Sequence, residues 1–120
     1  MSVTERTFYI TFELEGGRPP HYERVYALVH EAGGFRYCCD EHGAWTRLPA
    51  TTVALRLAAT RPQVARVAFE LMLAQADLVA SAVLVTGEDV VLTPQRVEAL
   101  EVPWYARRGA AARVPVALTV

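Results

Sequence analysis

The 120-residue sequence predicts a single α+β domain whose core runs strand–helix–strand–strand–helix–strand, the ferredoxin-like βαββαβ order. Three observations predict it. Period-two alternation marks strands near residues 6–15 and 51–58, and 3.6-residue periodicity marks two helices between and after them. Glycine and proline pairs punctuate the boundaries.

The first strand alternates cleanly. Phe8, Ile10, Phe12 and Leu14 face one way, and Thr7, Tyr9, Thr11, Glu13 and Glu15 face the other. Gly16-Gly17-Arg18-Pro19-Pro20 breaks it and opens a helix over 20–32, where Tyr22, Val25, Tyr26 and Val29 share one face. Gly33-Gly34 stops that helix. A short strand over Phe35 to Cys39 and a polar link, Asp40-Glu41-His42-Gly43, come next. Ala44 to Pro49 reads as an irregular approach to the strand of Thr51 to Ala58, in which Val53, Leu55 and Leu57 oppose Thr52, Ala54 and Arg56.

Thr60-Arg61-Pro62-Gln63 reads as a capping box that starts the second helix at Thr60. Val64, Val67, Ala68, Leu71 and Met72 form its expected core stripe. Phe69 and Leu73 then fall outside that stripe, and the C-terminal tail or a second subunit is expected to cover them. Leu78 to Thr86 supplies the fourth core strand. Residues 6–86 make the core, and 87–120 make an extension. The extension is read as a short strand at Val90-Val91-Leu92, a brief helix at 94–100, an irregular stretch at 103–108 and a last strand through Val114, Val116 and Leu118.

Composition narrows the function classes. The chain is 52% hydrophobic and 21% charged, as a globular domain is. No apolar run approaches the roughly 18 residues that span a membrane. A net charge of −1 argues against a strongly basic nucleic-acid binder. All twelve basic residues are Arg, with no Lys or Asn and one Ile, which matches the coding bias of a GC-rich genome. Met1 to Arg6 lacks the pattern of a signal peptide. Cys38 and Cys39 are adjacent, about 3.8 Å between Cα atoms, where a disulfide wants about 5.5 Å. Two free thiols suit a reducing compartment, so a cytoplasmic location is expected.

Glu13 is the leading candidate site residue. It ends the first strand on the side away from the helices. If two chains met there across a two-fold axis, two Glu13 carboxylates could share one Mg²⁺ and assist phosphodiester cleavage. The plainer alternative is a solvent-facing Glu beside Glu15.

Phe8-Tyr9-Ile10-Thr11-Phe12-Glu13-Leu14 resembles the first strand of the small CRISPR-associated ferredoxin-like nucleases and the related virulence-associated protein D toxins. Tyr22 to Leu28, the Gly33-Gly34 turn and the Leu48-Pro49-Ala50-Thr51-Thr52 strand entry extend the similarity over about residues 7–86. The resemblance implies a homodimer and a Mg-dependent endonuclease, or a relative that binds nucleic acid or protein without cutting. It makes Glu13 the catalytic metal ligand, in the place of the family's Asp. Tyr9 and Thr11 would line the same surface, and Arg56 would contact phosphate.

Two other classes stay open. One is a non-enzymatic interaction module using Phe69, Leu73, Trp104 and Tyr105 as interface residues, since Trp, Tyr and Arg are enriched at interfaces. The other is a dimeric α+β barrel holding a small hydrophobic ligand among Tyr26, Phe35 and Trp45. Cys38, Cys39 and His42 could ligate Zn²⁺, but C-C-x₂-H lacks paired ligand spacing, and His21, His30, Asp40 or Glu41 would have to complete it. A nucleophilic pairing of Cys38 or Cys39 with His30 or His42 has nothing in sequence to orient it. His30 also suits its helix C-terminus through the dipole.

Overall fold

The computed structural model describes residues 4–87 and 93–107. The elements are β1 (Arg6–Leu14), α1 (Pro19–Glu31), β2 (Tyr37–Cys39), β3 (Trp45–Arg47), β4 (Thr52–Leu57), α2 (Pro62–Gln75), β5 (Ala80–Thr86), β6 (Gln95–Val97), a 3₁₀ turn (Ala99–Glu101) and a one-turn α3 (Trp104–Arg107). They form an α+β architecture with two three-stranded antiparallel sheets, ordered β4-β1-β5 and β2-β3-β6.

β1 is central because its alternation lets it bury one whole face. Phe8 pairs with Leu55, Ile10 with Val53, and Phe12 with Val83. α1 and α2 cover this face. Ile10, Phe12, Leu14, Val25, Tyr26, Val29, Val53, Leu55, Phe69 and Leu73 form the main core, and each such burial contributes about 1.5–3 kcal/mol. Tyr22 joins α1 to β1 twice. Its ring stacks on Phe12, and its hydroxyl accepts a 2.9 Å bond from the Leu14 N–H.

The chain leaves α1 through Gly33, at φ +88, and Gly34, where a Cβ would collide with the Ala54 carbonyl. That close approach lets Phe35 exchange two backbone bonds with Ala54, at 2.9 and 2.8 Å. The strand then turns away from β4 into the second sheet. The β2–β3 turn is tied by Asp40, whose carboxylate accepts from the backbone N–H groups of His42 and Ala44, both at 2.8 Å. Those two bonds, Ala44 foremost, hold the Asp40 carboxyl below its ordinary pKa.

Several expectations are corrected. Residues 45–47 form β3 rather than an irregular link. α2 is entered through Arg61 and Pro62 with no side-chain cap, so Thr60 and Gln63 do not make a capping box. α2 is also rotated from its expected orientation. Ala65, Phe69 and Leu73 face the core, while Val64, Val67 and Leu71 are exposed. Phe69 and Leu73, at 0% and 1% exposure, are core residues of their own chain and not an interface. In the extension, the expected helix over 94–100 is replaced by β6 and the 3₁₀ turn. The expected irregular stretch at 103–108 contains α3. The strands expected at Val90–Leu92 and Val114–Leu118 lie outside the described residues.

α3 returns to α1. Tyr105 donates to the Glu23 carboxylate at 2.8 Å. Together with Tyr37, Val97, Val102 and Ala106 it builds a small second core. Among the described residues, no helix is long and apolar enough to cross a membrane.

Candidate functional site

The sheet face opposite the helices is divided. Its lower half is closed, because Phe35, Cys38 and Leu48 pack over Tyr9 and Ala54. Tyr9 is 2% exposed, so it cannot line a nucleic-acid surface as expected. Arg56 lays its guanidinium over the Phe35 ring at 5.8 Å. The upper half is open. Thr11 bonds Thr52 through their hydroxyls at 2.9 Å. Glu13 is exposed opposite Ala82, and Leu84 stands beside Thr11 at 62% exposure. Thr11 and Glu13 therefore share an open surface, while Tyr9 and Arg56 belong to the closed half.

A cavity of about 110 Å³ lies between the end of α1 and the second sheet, lined by His30, Phe35, Tyr37, Cys38, Cys39 and Tyr105 among others. His30, Cys38 and Cys39, which one sequence reading paired, all contribute to its lining. However, the His30 Nε2 accepts from the Arg36 and Tyr37 backbone N–H groups, at 3.1 and 3.3 Å. That nitrogen pins a strand and is not aimed at a thiol. The Cys39 thiol donates to the Asp40 carbonyl at 3.5 Å. The volume holds about three or four waters at roughly 30 Å³ each, well below the roughly 300 Å³ of ordinary ligand pockets. Among the described residues no three His, Cys, Asp or Glu side chains converge as metal ligands. His42 is exposed beside Glu41.

Arg36 is a feature that the sequence reading passed over. It is buried, and its Nη1 donates to the carbonyls of Leu48, Pro49 and Thr52 at 3.0–3.2 Å. Its guanidinium lies 4.2 Å from the Tyr26 ring centroid, a favourable cation–π contact. These bonds clasp the loop in which Thr51 takes φ +54, a strained value for a β-branched residue. Burial raises the Tyr26 hydroxyl's pKa, opposed by the nearby Arg36 charge. Arg36 is thus a structural clasp whose Nη1 is spent on backbone, while its buried Nε finds no hydrogen-bond partner among the described residues. A lone Arg inside Phe35-Arg36-Tyr37-Cys38 was its only sequence trace.

The third feature is the outer edge of β5. Among the described residues, β5 pairs with β1 on one side and with nothing on the other. Residues 78–86 contain no charge and no proline. Edge strands ordinarily carry charges, proline or a covering element to prevent pairing with other chains. α2 packs over β5, and a groove of about 260 Å³ runs between them, lined by Pro62, Gln63, Arg66, Val83 and Val85. Among the described residues, the lining comes from α2 and from the edge strand β5. The nearby α2 charges neutralise each other as an Arg66–Glu70 pair at 3.3 Å.

Trp104 is exposed and packs edge-on against Tyr105. Tyr105 itself is half-buried and anchors α3 to α1, so of this expected interface pair only Trp104 projects outward.

Compared with protein-family models, with curated proteins and with solved structures, the chain gives no match in any of the three.

Proposed function

We propose that this chain is a non-enzymatic interaction module of ferredoxin-like order that accepts an additional β-strand from another chain along β5. The ferredoxin-like reading is supported by the β4-β1-β5 order with Phe35 bridging the far side of β4. The fourth strand of such a sheet is cut to one bridge, because the chain turns away to build a second sheet.

The observation that carries the interaction reading is the seven-residue, uncharged β5 edge with no described partner. Strand addition draws affinity from main-chain hydrogen bonds and specificity from alternate side chains. Here those side chains are Ala82 and Leu84 on the open face. A strand complementary to them is apolar, extended and free of like charge. The nuclease reading draws less support. Glu13 stands among Thr11, Ser81 and Ala82, and Arg56 is engaged with Phe35.

The test is a titration with a peptide of residues 78–87, followed through backbone amide resonances. Shifts concentrated on β5, absent in Leu84→Lys, are expected. Shifts scattered over the surface, or none, would overturn the reading.

A further inference from the structure

We infer that the strand received at this edge is β5 of a second copy, giving a continuous six-stranded antiparallel sheet, β4-β1-β5 joined to the partner's β5-β1-β4. The inference rests on the strand-acceptor reading above and names its occupant.

Three observations single out a second copy. First, antiparallel pairing of two identical strands about a two-fold axis normal to the sheet sets each residue against its mirror position. Centred on Val83, the midpoint of Ala80–Thr86, it places Leu84 opposite the partner's Ala82 and Ala82 opposite the partner's Leu84, both positions being exposed. Large therefore meets small twice, and no like charges oppose, because the strand has none.

Second, the flank of α2 beside the edge is electrically neutral. Arg66 and Glu70 are already paired, so α2 itself brings no net charge to the approach of two copies.

Third, Val83 and Val85 are only partly buried, and they line the groove under α2 at this edge. The axis keeps both helix layers on one side of the joined sheet. The partner's α2 then closes the groove that each chain leaves open.

The arrangement also bears on Glu13. The two β1 strands would be separated by three strand spacings, about 14 Å. That is too far for two carboxylates to share one Mg²⁺, whose ligands sit at about 2.1 Å. A dimer of this kind excludes the shared-metal arrangement.

Sedimentation equilibrium of the full chain at micromolar concentration tests the inference. A monomer–dimer equilibrium is expected, weakened by about tenfold or more in Leu84→Lys and in Ala82→Lys, since both put two cations near the dyad. Leu71→Lys, on the groove between α1 and α2, is expected to leave it unchanged. Both edge positions are exposed, so circular dichroism of the variants should match the parent. A dimer weakened by Leu71→Lys but not by the edge variants would overturn the inference. A monomer at all concentrations whose β5 still responds to the 78–87 peptide would overturn the dimer and leave the strand-acceptor reading intact. A monomer whose β5 ignores the peptide would overturn both.

Discussion

Phe12 and Phe69 meet with ring centroids 5.0 Å apart and planes tilted by 58°, and this contact sets which face of α2 points at the sheet. With Phe69 turned inward, Ala65 and Leu73 follow on the same side, four residues away in either direction.

Phe69→Ala is therefore expected to destabilise the chain by about 3–5 kcal/mol, the range for buried aromatic truncation. Val67→Ser, at 50% exposure, should change stability by no more than about 0.5 kcal/mol. Urea denaturation of both variants checks the rotation of α2, because the opposite orientation reverses the ranking.

α2 also shows where sequence reading stops. Its apolar residues occupy two stripes, Val64-Val67-Leu71 and Ala65-Phe69-Leu73, and both have helical spacing. Periodicity identifies the helix but cannot choose between them. The choice is made by shape, because Phe69 is the α2 ring that packs on Phe12. β1 was legible because it is central and buries alternate residues along its length. β3 was not, since a three-residue strand draws its pairing from β2 and β6 and shows no period of its own. The candidate site divided in the same way. The uncharged run of 78–86 was visible as a strand, but its place at the edge is a matter of topology. Likewise Tyr9 alternates onto the face opposite the helices as expected, and the return of Phe35, Cys38 and Leu48 over that face closes it.

Arg36→Ala should cost about 2–4 kcal/mol, since it strands carbonyls that now receive charged hydrogen bonds. Arg36→Lys should recover only part of that loss, because an ammonium lacks the planar fork over Tyr26. Thermal melts of the two variants supply the comparison.

The Asp40 carboxyl has a depressed pKa in the folded chain. Its contribution is therefore complete above the unfolded value of about 3.9 and is lost as pH falls through the lower folded value. Asp40→Asn should be less stable than the parent at neutral pH, with the gap closing in acid. Denaturant midpoints measured from pH 7 downward test this, and a gap independent of pH would contradict it.

Burial raises the pKa of the Tyr105 hydroxyl, and its bond to the Glu23 carboxylate raises it further. Tyr26 is raised too, mainly by burial. Groups raised in this way contribute stability that is whole below about pH 10 and falls as pH climbs past it. Ultraviolet titration should find these two phenols ionising above the ordinary phenol range, together with unfolding. Tyr105→Phe should reduce the alkaline loss of stability.

Among the described residues the outer edge of β5 is unpaired, and we propose that it receives another strand. Hydrogen exchange of the amides of residues 80–86 tests it most directly, in solution dilute enough to hold the chain monomeric. In an antiparallel strand alternate amides point to opposite neighbours. Slow exchange is expected for the set bonded to β1 and fast exchange for the set facing outward, which slows as concentration or the 78–87 peptide is raised. Equal protection of both sets in the dilute monomer would contradict it.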